Sequence, residues 1–118
     1  MGHVFVDAEI VNPEKPEFRA KTKALIDTGA TYTVIPKRIS KELGLKIKGE
    51  KVVKTAKGPA TLSVSYAEIL IGERSGVSTV LVSEKIDQPL IGVVTLEIVG
   101  LTVDPTTGQL KEVEALLL

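Results

Sequence analysis

The chain has 118 residues, 15 basic and 15 acidic, and a formal net charge of zero at neutral pH. That length suits one compact domain over residues 1–118 and leaves no room for two lobes, while charge balance supplies no field toward nucleic acid or an anionic membrane. With no cysteine, and with His3 as the lone histidine at the very start, disulfides, zinc–thiolate sites and histidine-dependent triads are disfavoured, and carboxylates remain for acid–base work.

Short β-rich runs separated by turn residues point to a mostly β fold. The first run, Val4 to Val11, reads as a strand ended by the turn Asn12-Pro13-Glu14-Lys15-Pro16, and Phe18 to Ile26 returns as a second strand. This strand delivers Asp27 to the start of a loop, Thr28-Gly29-Ala30. Pro36 to Gly44 carries a proline suited to a first helical turn, Ile39 and Leu43 four apart, and a glycine suited to the C-terminal cap, which predicts a short surface helix. Ile47 to Thr55 and Ala60 to Ile71 are strand-like, with Ala56-Lys57-Gly58-Pro59 as a hairpin tip between them. After Gly72 to Gly76, Val77 to Val82 is a further strand. Pro89-Leu90-Ile91-Gly92 reads as an apolar strand ending at a glycine. Val93 to Val99, closed by Gly100, fits a short helix or a strand, since Val and Ile favour neither outcome decisively. Leu101 to Asp104 and Gln109 to Val113 form a hairpin around Pro105-Thr106-Thr107-Gly108.

The most informative feature is Asp27-Thr28-Gly29-Ala30, between the apolar run Ala24-Leu25-Ile26 and Thr31 to Pro36. A carboxylate at the end of an apolar strand, entering a turn of small residues, is held near a core on a rigid scaffold, as catalytic acids are. The chemistry this suggests needs two facing carboxylates and the chain supplies one such site, so a homodimer is expected. Asp7, Asp87 and Asp104 lack a following small-residue turn and read as turn, surface or capping groups.

These motifs resemble the retropepsin-like aspartic proteases, the single-lobe group that includes retroviral proteases. The likeness rests on Leu25-Ile26-Asp27-Thr28-Gly29-Ala30 and on Gln88-Pro89-Leu90-Ile91-Gly92 with the following Leu96, Gly100 and Leu101, in family order across most of the chain. It implies an acid-protease fold, a closed β-barrel or sandwich with one or two short helices, and a homodimer in which one Asp27 per subunit forms a water-activating dyad. It also implies hydrolysis of extended polypeptide without metal or organic cofactor. By the same resemblance Thr28 hydrogen-bonds across the dimer and Gly29 allows close approach. Ala30 packs in the tight turn on the substrate side, while Ala56, Lys57 and Gly58 lie at the tip of a substrate-covering flap. Leu90, Ile91 and Gly92 support the loop. The chain departs from the retroviral pattern at Thr31 and Val93, where the family's acid and arginine are both missing, and at a flap tip poor in glycine and stiffened by Pro59.

Two other functions fit parts of the pattern. A non-catalytic dimeric peptide-binding or regulatory module could share the fold. Asp27-Thr28-Gly29-Ala30-Thr31 also has the Asp-x-Gly-x-Thr form of actin-like kinases, but that fold needs far more chain and a second phosphate motif. No window approaches the ~20 apolar residues of a membrane span and no signal-like segment opens the chain, so a cytoplasmic protein without nucleic-acid or membrane partners is expected. One asparagine, two glutamines and one methionine fit a thermophile. The apolar tail Val113 to Leu118 suits a strand that pairs with its symmetry mate or docks on its own core.

Overall fold

The structure is a computed structural model and describes residues 4–114. Nine strands and two helices follow in chain order within that range. They are β1 (Val4–Val11), β2 (Arg19–Ile26), β3 (Thr33–Pro36), α1 (Lys37–Glu42), β4 (Gly49–Thr55), β5 (Gly58–Ile71), β6 (Arg74–Ser83), β7 (Leu90–Ile91), α2 (Val93–Val99), β8 (Leu101–Val103) and β9 (Leu110–Glu112). The fold is mostly β, as the composition of the runs predicts.

The strands of the main sheet lie in the order β1-β2-β7-β3-β6-β5-β4, and β1 also pairs with β5, so the pairings return on themselves and leave the β4–β5 hairpin projecting. The ring encloses a core that includes Ile10, Ile35, Ile69, Ile91 and Val80, each fully buried. Removing each such side chain from water contributes about 1.5–3 kcal/mol. Alternation of buried and exposed residues along β1 and β2 sets their inner faces. The last four residues of β6 are buried without alternation, because that end lies between β3 and β5.

β7 is only two residues long, yet it pairs in parallel with β2 and antiparallel with β3. It threads between the strands on either side of the Asp27 loop and fixes both. Asn12 performs a similar task at the opposite end of β1. Its buried amide nitrogen donates to the carbonyls of Leu43 and Gly44, and its side-chain oxygen accepts the Glu14 and Lys15 N–H groups, tying the first turn to the end of α1.

Several boundaries differ from the sequence expectations. β3 was not anticipated: its four residues pair with β6, remote in sequence, and with β7. Ser75 and Gly76, expected in a turn, lie inside β6, and a Cβ on Gly76 would stand 2.5 Å from the Ile98 side chain, so this glycine lets α2 approach the sheet. The hairpin tip narrows to Ala56-Lys57, with Thr55 paired to Gly58 and Pro59 paired to Lys54 inside the strands. Val93–Val99 is a helix, closed by Gly100 in the left-handed region at φ 78°. The C-terminal hairpin forms as β8–β9. Both His3 and the tail from Ala115 to Leu118 lie outside the described residues.

Candidate active site

Asp27 follows the last residue of β2. Its N–H donates to the Ile91 carbonyl at 2.9 Å and its carbonyl accepts the Ala30 N–H at 3.1 Å, which makes a tight turn. The carboxylate folds back on that turn: Oδ1 accepts the Gly29 N–H at 3.0 Å. A Cβ on Gly29 would lie 3.3 Å from the same oxygen. Asp27 remains partly exposed, with Thr28 and Gly29 open to solvent, so the acid stands at a rigid strand end with one face free.

The second motif clamps this loop from behind. At the start of α2, the Val93 N–H donates to the Ala30 carbonyl at 2.9 Å and the Val94 N–H to the Thr31 carbonyl at 3.0 Å. These are among the N–H groups a helix start leaves unsatisfied, and the loop carbonyls fill that need where no capping side chain does. Gly92 permits the approach. A Cβ there would lie 2.5 Å from the Tyr32 carbonyl carbon and 2.6 Å from its oxygen, distances that any other residue could relieve only by moving backbone. Thr31 and Val93, the positions at which the resemblance would lead to the expectation of an ion pair, thus sit in a clamp made of backbone hydrogen bonds.

Beneath the clamp runs a buried hydroxyl chain that the sequence reading missed. The Gly92 N–H donates to Thr33 Oγ1 at 3.1 Å, Thr33 Oγ1 lies 2.5 Å from Thr95 Oγ1, and Thr95 Oγ1 lies 2.8 Å from Ser78 Oγ. Ser78 donates its proton to the Thr79 carbonyl at 3.1 Å. Proton direction follows: Ser78 must accept from Thr95, and Thr95 from Thr33. All three hydroxyl residues are essentially inaccessible, and no periodicity marks a buried Thr or Ser, so only the fold shows them.

The predicted residues fall into two groups. Asp27, Thr28, Gly29 and Ala30 are brought together with Leu90, Ile91 and Gly92. Ala56, Lys57 and Gly58 sit apart at the hairpin tip, where among the described residues no hydrogen bond joins them to the Asp27 loop. The hairpin reaches that loop through Lys51, whose Nζ stands 5.2 Å from the centroid of the Tyr32 ring, a cation–π distance. Neither residue stood out in sequence; the signal available was an aromatic shortly after the motif and a strand position facing it. Thr28 lines a cavity of about 780 Å³ with Val93, Leu96, Leu101, Val103 and Val113. Among the described residues no group of three or more His, Cys, Asp or Glu side chains could hold a metal ion, and no helix is long and apolar enough to cross a membrane.

A family model described as "gag-polyprotein putative aspartyl protease" matches residues 19–97, about two thirds of the chain. The chain belongs to this aspartyl protease family. Its match begins at the first residue of β2 and ends within α2, so it contains the Asp27 turn, the hairpin and the Gly92 clamp. Among solved structures, the simian foamy virus (mac) protease in solution is similar at 24% identity and TM-score 0.58, over 80% of this chain and 92% of that one. A foamy viral protease–reverse transcriptase in complex with an RNA/DNA hybrid is similar at 24% identity and TM-score 0.61, over 80% of this chain and 12% of that one. These likenesses show a retroviral-protease fold. No curated protein sequence gave a match.

Proposed function

We propose that the protein is an aspartic endopeptidase that acts as a homodimer on extended polypeptide, with no metal or organic cofactor. The observation that carries this reading is the placement of Asp27, held at a strand end by Ile91 and Gly29 and clamped through Gly92 and α2, yet open on one face. In the proposed dimer the ring of strand pairings is a closed barrel in each subunit, and the exposed Thr28 and the cavity beside it face the twofold axis.

Two Asp27 carboxylates facing one another cannot both ionise cheaply, so the pair shares one proton and titrates as a unit. The ionised member takes a proton from a water molecule as the water oxygen bonds to the peptide carbonyl carbon. The protonated member gives its proton to the carbonyl oxygen, which relieves the charge developing there. When the tetrahedral adduct collapses, the C–N bond breaks, the proton taken from water passes to the leaving amine, and one adduct hydroxyl returns its proton to the other, now ionised, carboxylate, which leaves a carboxylic acid product and restores the singly protonated pair. Asp27 is the catalytic group. Thr28 and Gly29 shape its turn, and Leu90, Ile91 and Gly92 position it. Ala30 together with the hairpin tip at Ala56, Lys57 and Gly58 contacts substrate, the tip closing over the peptide as a flap.

The test is cleavage of a mixed peptide library between pH ~3 and ~8 by native protein and by Asp27→Asn purified identically. Cleavage with a bell-shaped pH profile, lost in the variant, supports the reading. A folded native protein that binds peptides without cutting them at any pH would replace it with the binding-module alternative.

A further inference from the structure

Charge balance over the whole chain conceals a strong local asymmetry. Residues 37–57 hold eight of the 15 basic side chains and only two acidic ones, Glu42 and Glu50, a net of +6. This segment is α1, the connection after it, β4 and the hairpin tip Ala56-Lys57, so the cations gather on the helix, the connection and the hairpin that projects beside the Asp27 loop.

Position within the ladder separates these lysines. In β4, Lys51 shares a face with Val53 and Thr55, opposite Leu62, Ala60 and Gly58 of β5. That face looks toward the catalytic loop, as the Lys51–Tyr32 contact shows. A groove of about 1170 Å³ lies between the hairpin tip, α1 and the end of β6. Its cations are Lys37, Lys41, Lys57 and Lys85, and its one acid, Glu84, is occupied by Lys37 at 2.6 Å. Lys41, Lys51, Lys57 and Lys85 have no ion-pair partner among the described residues. Leu45, Ile47, Ala60 and Leu62 supply apolar surface in the same groove. β4 is the last strand of the sheet, so its outer edge offers unpaired main-chain groups to an extended strand.

We infer that the protease selects acidic polypeptide segments, whose carboxylates are read by Lys51 at the Tyr32 end of the cleft and by Lys41, Lys57 and Lys85 in the groove beside the hairpin. The inference rests on the endopeptidase reading. A peptide is favoured over a nucleic acid as occupant because the groove mixes cations with aliphatic walls and a free strand edge. The groove lining carries no aromatic side chain, and the Tyr32 face beside it is covered by Lys51, so no platform for bases is offered. Tyr32 holds the ammonium without neutralising it, so Lys51 keeps its charge available to a substrate.

The experiment compares kcat/KM for paired peptides that share a cleaved sequence and differ in Asp or Glu against Asn or Gln at positions flanking the scissile bond. Native protein is compared with Lys51→Glu, Lys57→Glu and, as a remote control of equal charge change, Lys15→Glu. Native protein should prefer the acidic member. Each groove-side reversal should lower that preference by about twofold to fivefold, the range of a solvent-exposed ion pair, and Lys15→Glu should leave the ratio unmoved. The preference should also fade as pH drops through about 4, where peptide carboxylates protonate. Cleavage with no acidic preference, or an equal change in Lys15→Glu, overturns the inference while leaving the endopeptidase reading intact. No cleavage of any peptide defeats that reading first. If cleavage of acidic peptides is indifferent to the lysine reversals, but single-stranded RNA binds native protein and loses affinity in Lys51→Glu, the basic face serves nucleic acid and the inference is also overturned.

Discussion

Replacing Thr95 with Val tests the hydroxyl chain beneath the Asp27 loop. The substitution keeps the β-branched shape and so opens no cavity, but it removes the acceptor of the Thr33 proton and the donor to Ser78. Thr33 Oγ1 still accepts the Gly92 N–H, and its own O–H is left buried without a partner. Stranding one buried donor costs about 1–3 kcal/mol and the second lost bond about 1 kcal/mol, together about 2–4 kcal/mol. Against a stability of about 5–15 kcal/mol for an ordinary domain this is a large fraction. With an unfolding entropy of about 2.1 cal/mol/K per residue, the loss should lower Tm by about 8–16 °C. Thr95→Ser keeps the hydroxyl and loses one methyl, so it should cost only about 1 kcal/mol. Calorimetry or urea unfolding of the two variants checks the ordering. A Val variant as stable as the Ser variant would refute the energetic part assigned to the buried hydroxyl chain.

Gly92→Ala should be more damaging to function than to secondary structure. Its Cβ must displace the Tyr32 carbonyl, an overpacking of about 1–3 kcal/mol, and the shift passes to Asp27 through the Ala30 and Thr31 carbonyls; circular dichroism near native with cleavage strongly reduced is expected. Pro59→Ala should cost little, about 0.4–1 kcal/mol through the unfolded chain. If Thr55 and Gly58 close the two-residue turn, Pro59 sits at the next, non-hydrogen-bonded pair and removes no ladder bond; urea unfolding measures this. The Glu84 carboxyl is held below its ordinary value, first by its hydrogen bond from Lys37 and then by the charges of Lys37 and Lys41. A depressed carboxyl pKa means that its small stabilising effect is present above the unfolded pKa and is lost as pH falls through the folded one. NMR titration should show Glu84 returning toward ordinary behaviour in Lys37→Met.

Local signals carried much of this structure into the sequence. Proline at the start of α1, glycine after α1 and after α2, and Asn12-Pro13 at the first turn each impose a backbone conformation without help from distant residues. The Asp27 turn and the Gly92 motif were legible for the same reason, since small residues at fixed spacing mark close approaches. What escaped was set by partners far along the chain. β3 exists because β6 and β7 accept it on either side, and Gly76 is a strand residue because Ile98 packs over it. The Thr33–Thr95–Ser78 chain joins three elements, and Lys51 meets Tyr32 only because the hairpin arches toward the loop. The proposed selection of acidic substrate lies in that last category. A neutral total concealed a basic wall.

The pairing of Asp27 across a twofold axis is tested most directly by mixing. Native and Asp27→Asn chains are unfolded together in equal amounts, refolded, and assayed at fixed total protein. If each active site needs an Asp27 from both subunits, random assortment leaves about one quarter of the dimers intact, and activity falls to about one quarter of an all-native sample. Activity of about one half would mean that each chain acts through its own Asp27 alone, which contradicts the dyad.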